Sequence, residues 1–348
     1  MIKDVKYLTD KIISGEMLNG EELEFILNAS EKDVDYLTRK AVETRIAVYG
    51  KEVFIRGLIE ITNYCKNDCL YCGIRRSNCN ADRYRLTKED ILECCKEGYE
   101  AGFRTFVMQG GEDGYFNDER LSDIVKTIKT IYPDCAITLS VGERSFESYK
   151  KLYDAGADRF LLRHETATDD HNAKLHPKEL TLENRKRCLY DLKKIGFQTG
   201  CGFMVGSPCQ TYENLAADLA FIKEFKPEMV GLGPFIPHKD TPFKDKGTGS
   251  VTHTLRLLSI VRLIHPNVLL PATTALGTAE KGGRENGILA GANVIMPNLS
   301  PVSVRKKYML YNDKLTTDEE AAENLKMLKK SMENIGYFIT ANRGDFKR

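Results

Sequence analysis

The sequence predicts an α/β fold: a (βα)8 barrel of the TIM type, with a helical preface and a C-terminal helix. Three observations predict it. Short runs rich in Val, Ile, Phe and Thr end in Gly or polar residues and alternate with helical patterns of ten to fifteen residues. Eight such pairs follow one another, the count that closes a parallel barrel. The 348 residues suffice for one unit of this kind, and no low-complexity linker interrupts them. An open doubly wound sheet is the alternative, because periodicity does not reveal closure.

Residues 1–50 read as a segment of short amphipathic helices, "NGEELEFILNA" and "SEKDVDYLTRKAVETRIAVYG", with Ser30 and Asp33 in a capping arrangement. The barrel is expected over 51–312. Its strand candidates are "VFIRGLIEIT", "TFVMQGG", "AITLSVGE", "RFLLRHET", "TGCGFMVG", "MVGLGPFI", "LLPATTA" and "ANVIMPN". Helical patterns such as "TKEDILECCKEGYEAG" and "LENRKRCLYDLKKIG" lie between them. Residues 313–348 read as a C-terminal extension whose amphipathic helix, "TTDEEAAENLKMLKKSMENIG", packs on the barrel.

Fifty-one basic residues balance fifty acidic ones, a net charge of +1, so no nucleic-acid or polyanion surface is indicated. Small or neutral partners fit better. The N-terminus "MIKDVKYLTDKIISGEM" lacks the apolar stretch of a signal peptide, and no later run is long and apolar enough to cross a bilayer. A cytoplasmic protein without a membrane partner is therefore expected. In that compartment the ten cysteines read as reduced thiols and metal ligands, not disulfides.

A parallel barrel carries its chemistry where strands end. The first strand runs into "NYCKNDCLYC", with cysteines at 65, 69 and 72. Cys65, Cys69 and Cys72 can bind three irons of a cubane and leave the fourth open to an outside ligand. The competing reading is a zinc loop that recruits Cys79. Cys94, Cys95, Cys135, Cys188, Cys201 and Cys209 read as small buried hydrophobes. The second strand ends in "MQGGED", where Gly110 and Gly111 let backbone carbonyls approach an ammonium group, unless they are a plain turn. Ser140 ends the third strand and Glu165 the fourth; a carboxylate there suits a ribose diol or an ammonium. Arg185, opening the next helix, offers a planar fork to a carboxylate, or an ordinary surface ion pair. Arg159 and Arg163 lie two pleats apart and can share one side of their strand. The six histidines read as structural.

The C-x3-C-x2-C spacing with Tyr71 before the last cysteine resembles the radical S-adenosylmethionine (SAM) superfamily. The resemblance implies a 4Fe–4S cluster whose open iron is chelated by SAM. One electron then releases a 5'-deoxyadenosyl radical. It also implies that Gly110, Gly111 and Glu112 receive the SAM amine, with Ser140, Glu165 and Arg185 as further SAM contacts. The stretches "FIRGLIEITNYCKNDCLYCGIRR", "RYRLT", "GADRFLLRHETA", "ENR", "MVGLGPFIPHKDTP", "PATTALGT" and "GANVIMPN", in order from about 50 to 312, resemble the HydE family of FeFe-hydrogenase maturases. That family implies a cysteine-bound Fe(CO)2(CN) substrate, radical action at its sulfur, and contact with the maturases HydG and HydF and with an electron donor such as ferredoxin. Arg56, Arg159, Arg163, Thr273, Thr274, Tyr308 and Tyr311 would then receive the substrate, although packing is the alternative for the two tyrosines. Superfamily features alone also fit methylornithine synthase or biotin synthase, and a non-catalytic metal carrier is a third reading. Two departures limit the transfer. No cysteine follows Cys209, which removes the second, C-terminal cluster that some members carry, and Gly110 stands where some relatives have Ser.

Overall fold

A computed structural model describes residues 4–315 and 321–347. Side-chain caps start the preface helices. Asp4 caps α1 (Val5–Ile13), an Asn19–Glu22 capping box opens α2 (Gly20–Asn28), and Ser30 accepts from the Asp33 amide at the start of α3 (Glu31–Tyr49). Gly50, at φ 62°, ends α3 in a conformation that favours glycine.

The first strand candidate divides into β1 (Glu52–Ile55) and β2 (Gly57–Thr62). Then follow α4 (Lys88–Glu100), β3 (Thr105–Gly110), α5 (Asp118–Ile131), β4 (Ala136–Ser140), α6 (Phe146–Asp154) and β5 (Arg159–Leu161). Next come α7 (Asp169–Leu175), α8 (Leu182–Ile195), β6 (Gln198–Cys201), β7 (Met204–Val205), α9 (Tyr212–Phe225), β8 (Met229–Val230) and β9 (Gly233–Pro234). The chain finishes with α10 (Val251–Ile264), α11 (Thr274–Ala279), α12 (Gly283–Leu289), β10 (Val294–Ile295), α13 (Val302–Arg305), α14 (Ala321–Asn334) and β11 (Phe338–Thr340).

β2, β3, β4, β5, β6 and β8 form one parallel sheet in that order, as successive right-handed βα units demand. β2 is buried at every position, as a strand covered on both faces must be. The seventh candidate, "LLPATTA", forms no regular strand. Pro271 has no N–H to give a ladder, and the segment contributes only the parallel bridges Met229–Leu269 and Pro271–Val294. Those bridges carry the pairing from β8 to β10, which pairs with β1, while Leu58–Asn298 joins the same region to β2. The pairings thus run around the barrel axis to where they began. β7 and β9 form a small parallel pair at the strand ends.

The C-terminal extension departs from expectation. The helix predicted from Thr316 begins, among the described residues, at Ala321, and its first five residues lie outside them. The sequence reading contained no strand after it, yet β11 pairs in parallel with β1, Glu52 opposite Phe338. This places residues 338–347 against the end of the barrel opposite its mouth.

Candidate active site

Beyond β2, residues 63–86 form the cysteine loop without helix or strand. Polar contacts to backbone shape it. Arg83 donates to the carbonyls of Asn63, Ile74 (2.9 Å), Arg75 (2.7 Å) and Asn78 (3.1 Å). Asn63 donates to the Asp82 and Lys307 carbonyls at 2.8 and 2.7 Å. Asp68 accepts from Arg75 Nε at 2.7 Å, and that guanidinium holds its carboxyl far below the usual range.

Cys65, Cys69 and Cys72 line one cavity of about 340 Å³, the size of a small-molecule site. The Glu112 amide lies 3.4 Å from Cys65 Sγ, and the Lys66 amide donates to the Glu112 carbonyl at 2.9 Å, which ties "QGGED" to the cysteine loop. A Cβ on Gly111 would come 2.2 Å from the Tyr64 carbonyl oxygen and 2.7 Å from Cys65 Cβ, so only glycine permits this approach. Burial pushes the Cys69 thiol up to about 12 and raises those of Cys65 and Cys72. Metal loading must therefore displace protons. Among the described residues no three Cys, His, Asp or Glu side chains converge on one ion, a zinc knuckle included. A cubane needs no such convergence, since three of its irons take one cysteine sulfur each. The donor set fits a cluster.

The residues expected to hold SAM line the same cavity: Gly110, Gly111, Glu112, Ser140, Glu165 and Arg185. Arg185 is no surface ion pair. Its Nε donates to Glu143 Oε1 at 2.5 Å and its Nη1 to the Arg163 carbonyl at 2.9 Å. Burial alone would depress this guanidinium, but Glu143 and its neighbours raise it above the ordinary arginine value. Glu143 also accepts from Asn184 at 2.5 Å, and its amide donates to Glu112 Oε1 at 3.0 Å. One network thus spans the ends of three strands.

Glu165 has φ 64°, a left-handed conformation uncommon for a residue with a Cβ. Its amide donates to the Gly202 carbonyl at 2.9 Å. His164 and Asp218, both fully buried, brace this turn. The Gly202 amide donates to His164 Nδ1 at 3.3 Å, so the imidazole carries its proton on Nε2, 3.2 Å from Asp218 Oδ1. Asp218 also accepts from the Ala167 amide at 2.6 Å. Burial pushes His164 down to about 3, so the ring is neutral.

Of the residues expected to receive substrate, Arg163, Thr273, Thr274, Tyr308 and Tyr311 line the cavity. Arg163 Nη2 and Glu165 Oε2 lie 2.9 Å apart as an ion pair bent away from hydrogen-bond geometry. Thr273 Oγ1 is buried without a hydrogen-bond partner among the described residues, although Thr273 occupies the N-cap of α11. Burial pushes the Tyr311 hydroxyl up to about 12, so it stays protonated as a donor.

Two expectations are corrected. Arg159 and Arg163 do not lie on one strand: Arg159 opens β5, while Arg163 lies beyond its end. Arg159 faces the opposite end of the barrel and donates to Thr105 Oγ1 (3.1 Å), the Arg343 carbonyl (2.7 Å) and Asp345 Oδ1 (2.6 Å). Arg56, between β1 and β2, is buried against Met229 Sδ at 2.9 Å and does not line the cavity. Face periodicity says nothing about depth along the axis. Two charged cavity-wall residues are not indicated by the sequence pattern: Glu60, whose signal is one acid inside the apolar "GLIEIT", and Lys314, which carries none. Cys94, Cys95, Cys135, Cys188 and Cys201 are buried as expected, whereas Cys209, like Cys79, is exposed.

A parallel barrel that gathers three thiols, a glycine-lined backbone and a buried carboxylate–guanidinium network at its strand ends defines a radical SAM enzyme, with a 4Fe–4S cluster and SAM as its cofactors. A sequence model of the Radical SAM superfamily matches residues 59–222. The chain is 46% identical over 300 residues to the FeFe-hydrogenase maturase subunit HydE of Thermotoga maritima, covering 86% of this chain and 85% of that one. It belongs to the HydE family of that superfamily. It is also 29% identical over 337 residues to 3-methylornithine synthase of Methanosarcina acetivorans, covering 96% and 94% of the two chains. A crystal structure of methylornithine synthase aligns with TM-score 0.79 at 26% identity, over 96% of this chain and 97% of that one. HydG, a maturase of the FeFe-hydrogenase, shares the fold with TM-score 0.80 at 20% identity, over 98% and 77%. Among the described residues no helix is long and apolar enough to cross a membrane.

Proposed function

We propose that this enzyme acts in assembly of the FeFe-hydrogenase diiron subcluster, on the sulfur of a cysteine-bound Fe(CO)2(CN) species. The observation that carries the reading is the shared cavity, where Arg163 and the unpartnered Thr273 hydroxyl stand in the same enclosure as Cys65, Cys69 and Cys72. A carboxylate- and cyanide-bearing iron complex needs such convergent cationic and hydroxyl donors. Bound in the cavity, the cluster and SAM supply a 5'-deoxyadenosyl radical to the substrate sulfur.

The chain's own residues bind and orient. Cys65, Cys69 and Cys72 hold the cluster. The Gly110 and Gly111 backbone, with Glu112, Ser140 and Glu165, receives the SAM amine and ribose, and Arg185 its carboxylate. Arg163, Thr273 and Thr274 hold the substrate's anionic groups, while Tyr308 and Tyr311 close over them. In this reading residues 51–312 form the catalytic barrel, HydG supplies the iron species, HydF receives the product, and a ferredoxin-like donor supplies the electron, all in the cytoplasm.

Anaerobic reconstitution followed by dithionite and SAM tests it. We expect 5'-deoxyadenosine, its loss in Cys69→Ala, and stimulation by a cysteinyl iron–cyanide complex but not by lysine or dethiobiotin. The likeness to methylornithine synthase favours a second reading, a mutase of small amino acids. Stimulation by lysine instead would select it. No 5'-deoxyadenosine at all would leave only a metal carrier.

A further inference from the structure

Residues 307–315 cross the barrel mouth as a strap without helix or strand. It is tied to several neighbouring segments. Asn63 in the cysteine loop donates to the Lys307 carbonyl at 2.7 Å, and the Gly73 amide donates to the Leu310 carbonyl at 2.8 Å. A Cβ on Gly73 would come 2.2 Å from the Met309 carbonyl oxygen, so strap and cysteine loop touch backbone to backbone. The Asn312 amide donates to the Pro237 carbonyl at 3.0 Å, and the Leu315 amide to Thr278 Oγ1 at 2.9 Å.

The strap's inner side contributes Tyr308, Leu310, Tyr311 and Lys314 to the cavity wall. Tyr308 also meets the SAM side, since Gln109 Nε2 donates to its hydroxyl at 3.3 Å. Asp313, at φ 52°, turns the chain just before Lys314. The Lys314 ammonium, 5% exposed, then pairs with Glu60 of β2, 0% exposed, and donates to the Tyr308 carbonyl at 2.9 Å. The second oxygen of Glu60 accepts from Asn298 at 2.9 Å. Both charges are hydrogen-bonded and shut off from solvent.

A buried ion pair adds little net stability over an apolar pair of the same shape, but it fixes geometry, because either charge left alone in low dielectric is strongly disfavoured. We infer that Glu60 and Lys314 are positioning residues that pin the strap to β2 and so set Tyr308 and Tyr311 against the substrate. This rests on the proposed function only for which side of the cavity the substrate occupies. The pair touches neither the cysteines nor the SAM-side network.

The test compares the reconstituted holoenzyme with Lys314→Ala and with the uncharged double variant Glu60→Gln/Lys314→Met, which leaves no lone buried charge and keeps the fold accessible. Hydrogen exchange at the Asn312 and Leu315 amides should quicken tenfold or more while β3 stays protected. Iron content and SAM affinity should stay within twofold of the parent. With the cysteinyl iron complex, KM should rise tenfold or more and 5'-deoxyadenosine per product should increase, as uncoupled cleavage does. Unchanged exchange in a folded variant would overturn the inference, and so would a parallel loss of iron or SAM affinity, which marks a merely structural pair. The exchange measurement decides even if the parent turns over a different substrate, and the parent's own turnover tests the proposed function separately.

Discussion

Thr273 and Arg185 sit in one cavity but predict different outcomes on replacement. The Thr273 hydroxyl has no hydrogen-bond partner among the described residues, so Thr273→Val removes an unsatisfied buried group and leaves a side chain of similar shape. Thermal stability should hold or rise slightly, while KM for the proposed iron substrate rises by about tenfold, the worth of one hydrogen bond of about 1.4 kcal/mol. A melting temperature several degrees lower would show that the hydroxyl has a structural partner. Arg185 is oriented by Glu143 and the Arg163 carbonyl, which take two of its five N–H donors. Arg185→Ala should weaken SAM binding by about 2 kcal/mol or more, read by anaerobic equilibrium dialysis, because a charge-assisted contact and the placement of Glu143 are lost together. Unchanged SAM affinity would remove Arg185 from the site.

Among the described residues the cysteine loop has the Thr62–Arg85 bridge at its base but no strand beyond it, so much of its shape rests on Arg83, one side chain donating to four carbonyls of the loop. Arg83→Met keeps the length of the side chain and removes every donor. We expect reconstituted iron to fall by about half or more, since the metal must then order the loop itself, with Cys65, Cys69 and Cys72 intact. Full iron content with a normal SAM-induced change in the reduced-cluster EPR signal would show that the loop orders without Arg83. The loop after β5 is built on the same logic, with His164 and Asp218 bracing the left-handed turn at Glu165.

The two ends of the barrel divide function from closure. At the mouth, polar groups face a cavity. At the other end, Arg159 is buried and met by Asp345 from the chain's last residues. Burial would raise the Asp345 carboxyl, but the Arg159 guanidinium outweighs it and holds the group at about 2. The folded value is depressed, so the stabilisation is complete above the unfolded value of about 3.9 and is lost as pH falls through about 2. Asp345→Asn should therefore melt below the parent at pH 7, with the gap closing as pH approaches 2. A gap independent of pH would mean that packing, not charge, links the C-terminal residues to the barrel.

Local spacing made much of this molecule legible. Alternating strand and helix patterns indicated the barrel, the 65, 69, 72 spacing the cluster loop, and the strand-end positions of Gly110, Gly111, Ser140, Glu165, Thr273 and Thr274 their shared cavity. These signals survive translation into structure because period, capping and loop spacing act over a few residues. What required the tertiary structure was depth and long-range pairing. Arg159 and Arg163 stand four residues apart yet serve opposite ends of the barrel, and "LLPATTA" contributes bridges where a strand was expected. β11 joins β1 across nearly the whole chain, and Lys314 meets Glu60 from 254 residues away. Sequence by itself determined which residue types recur at which local interval. Only the closed packing of the barrel decided which of those positions meet, because burial and ion pairing depend on distance in space and carry no periodicity along the chain.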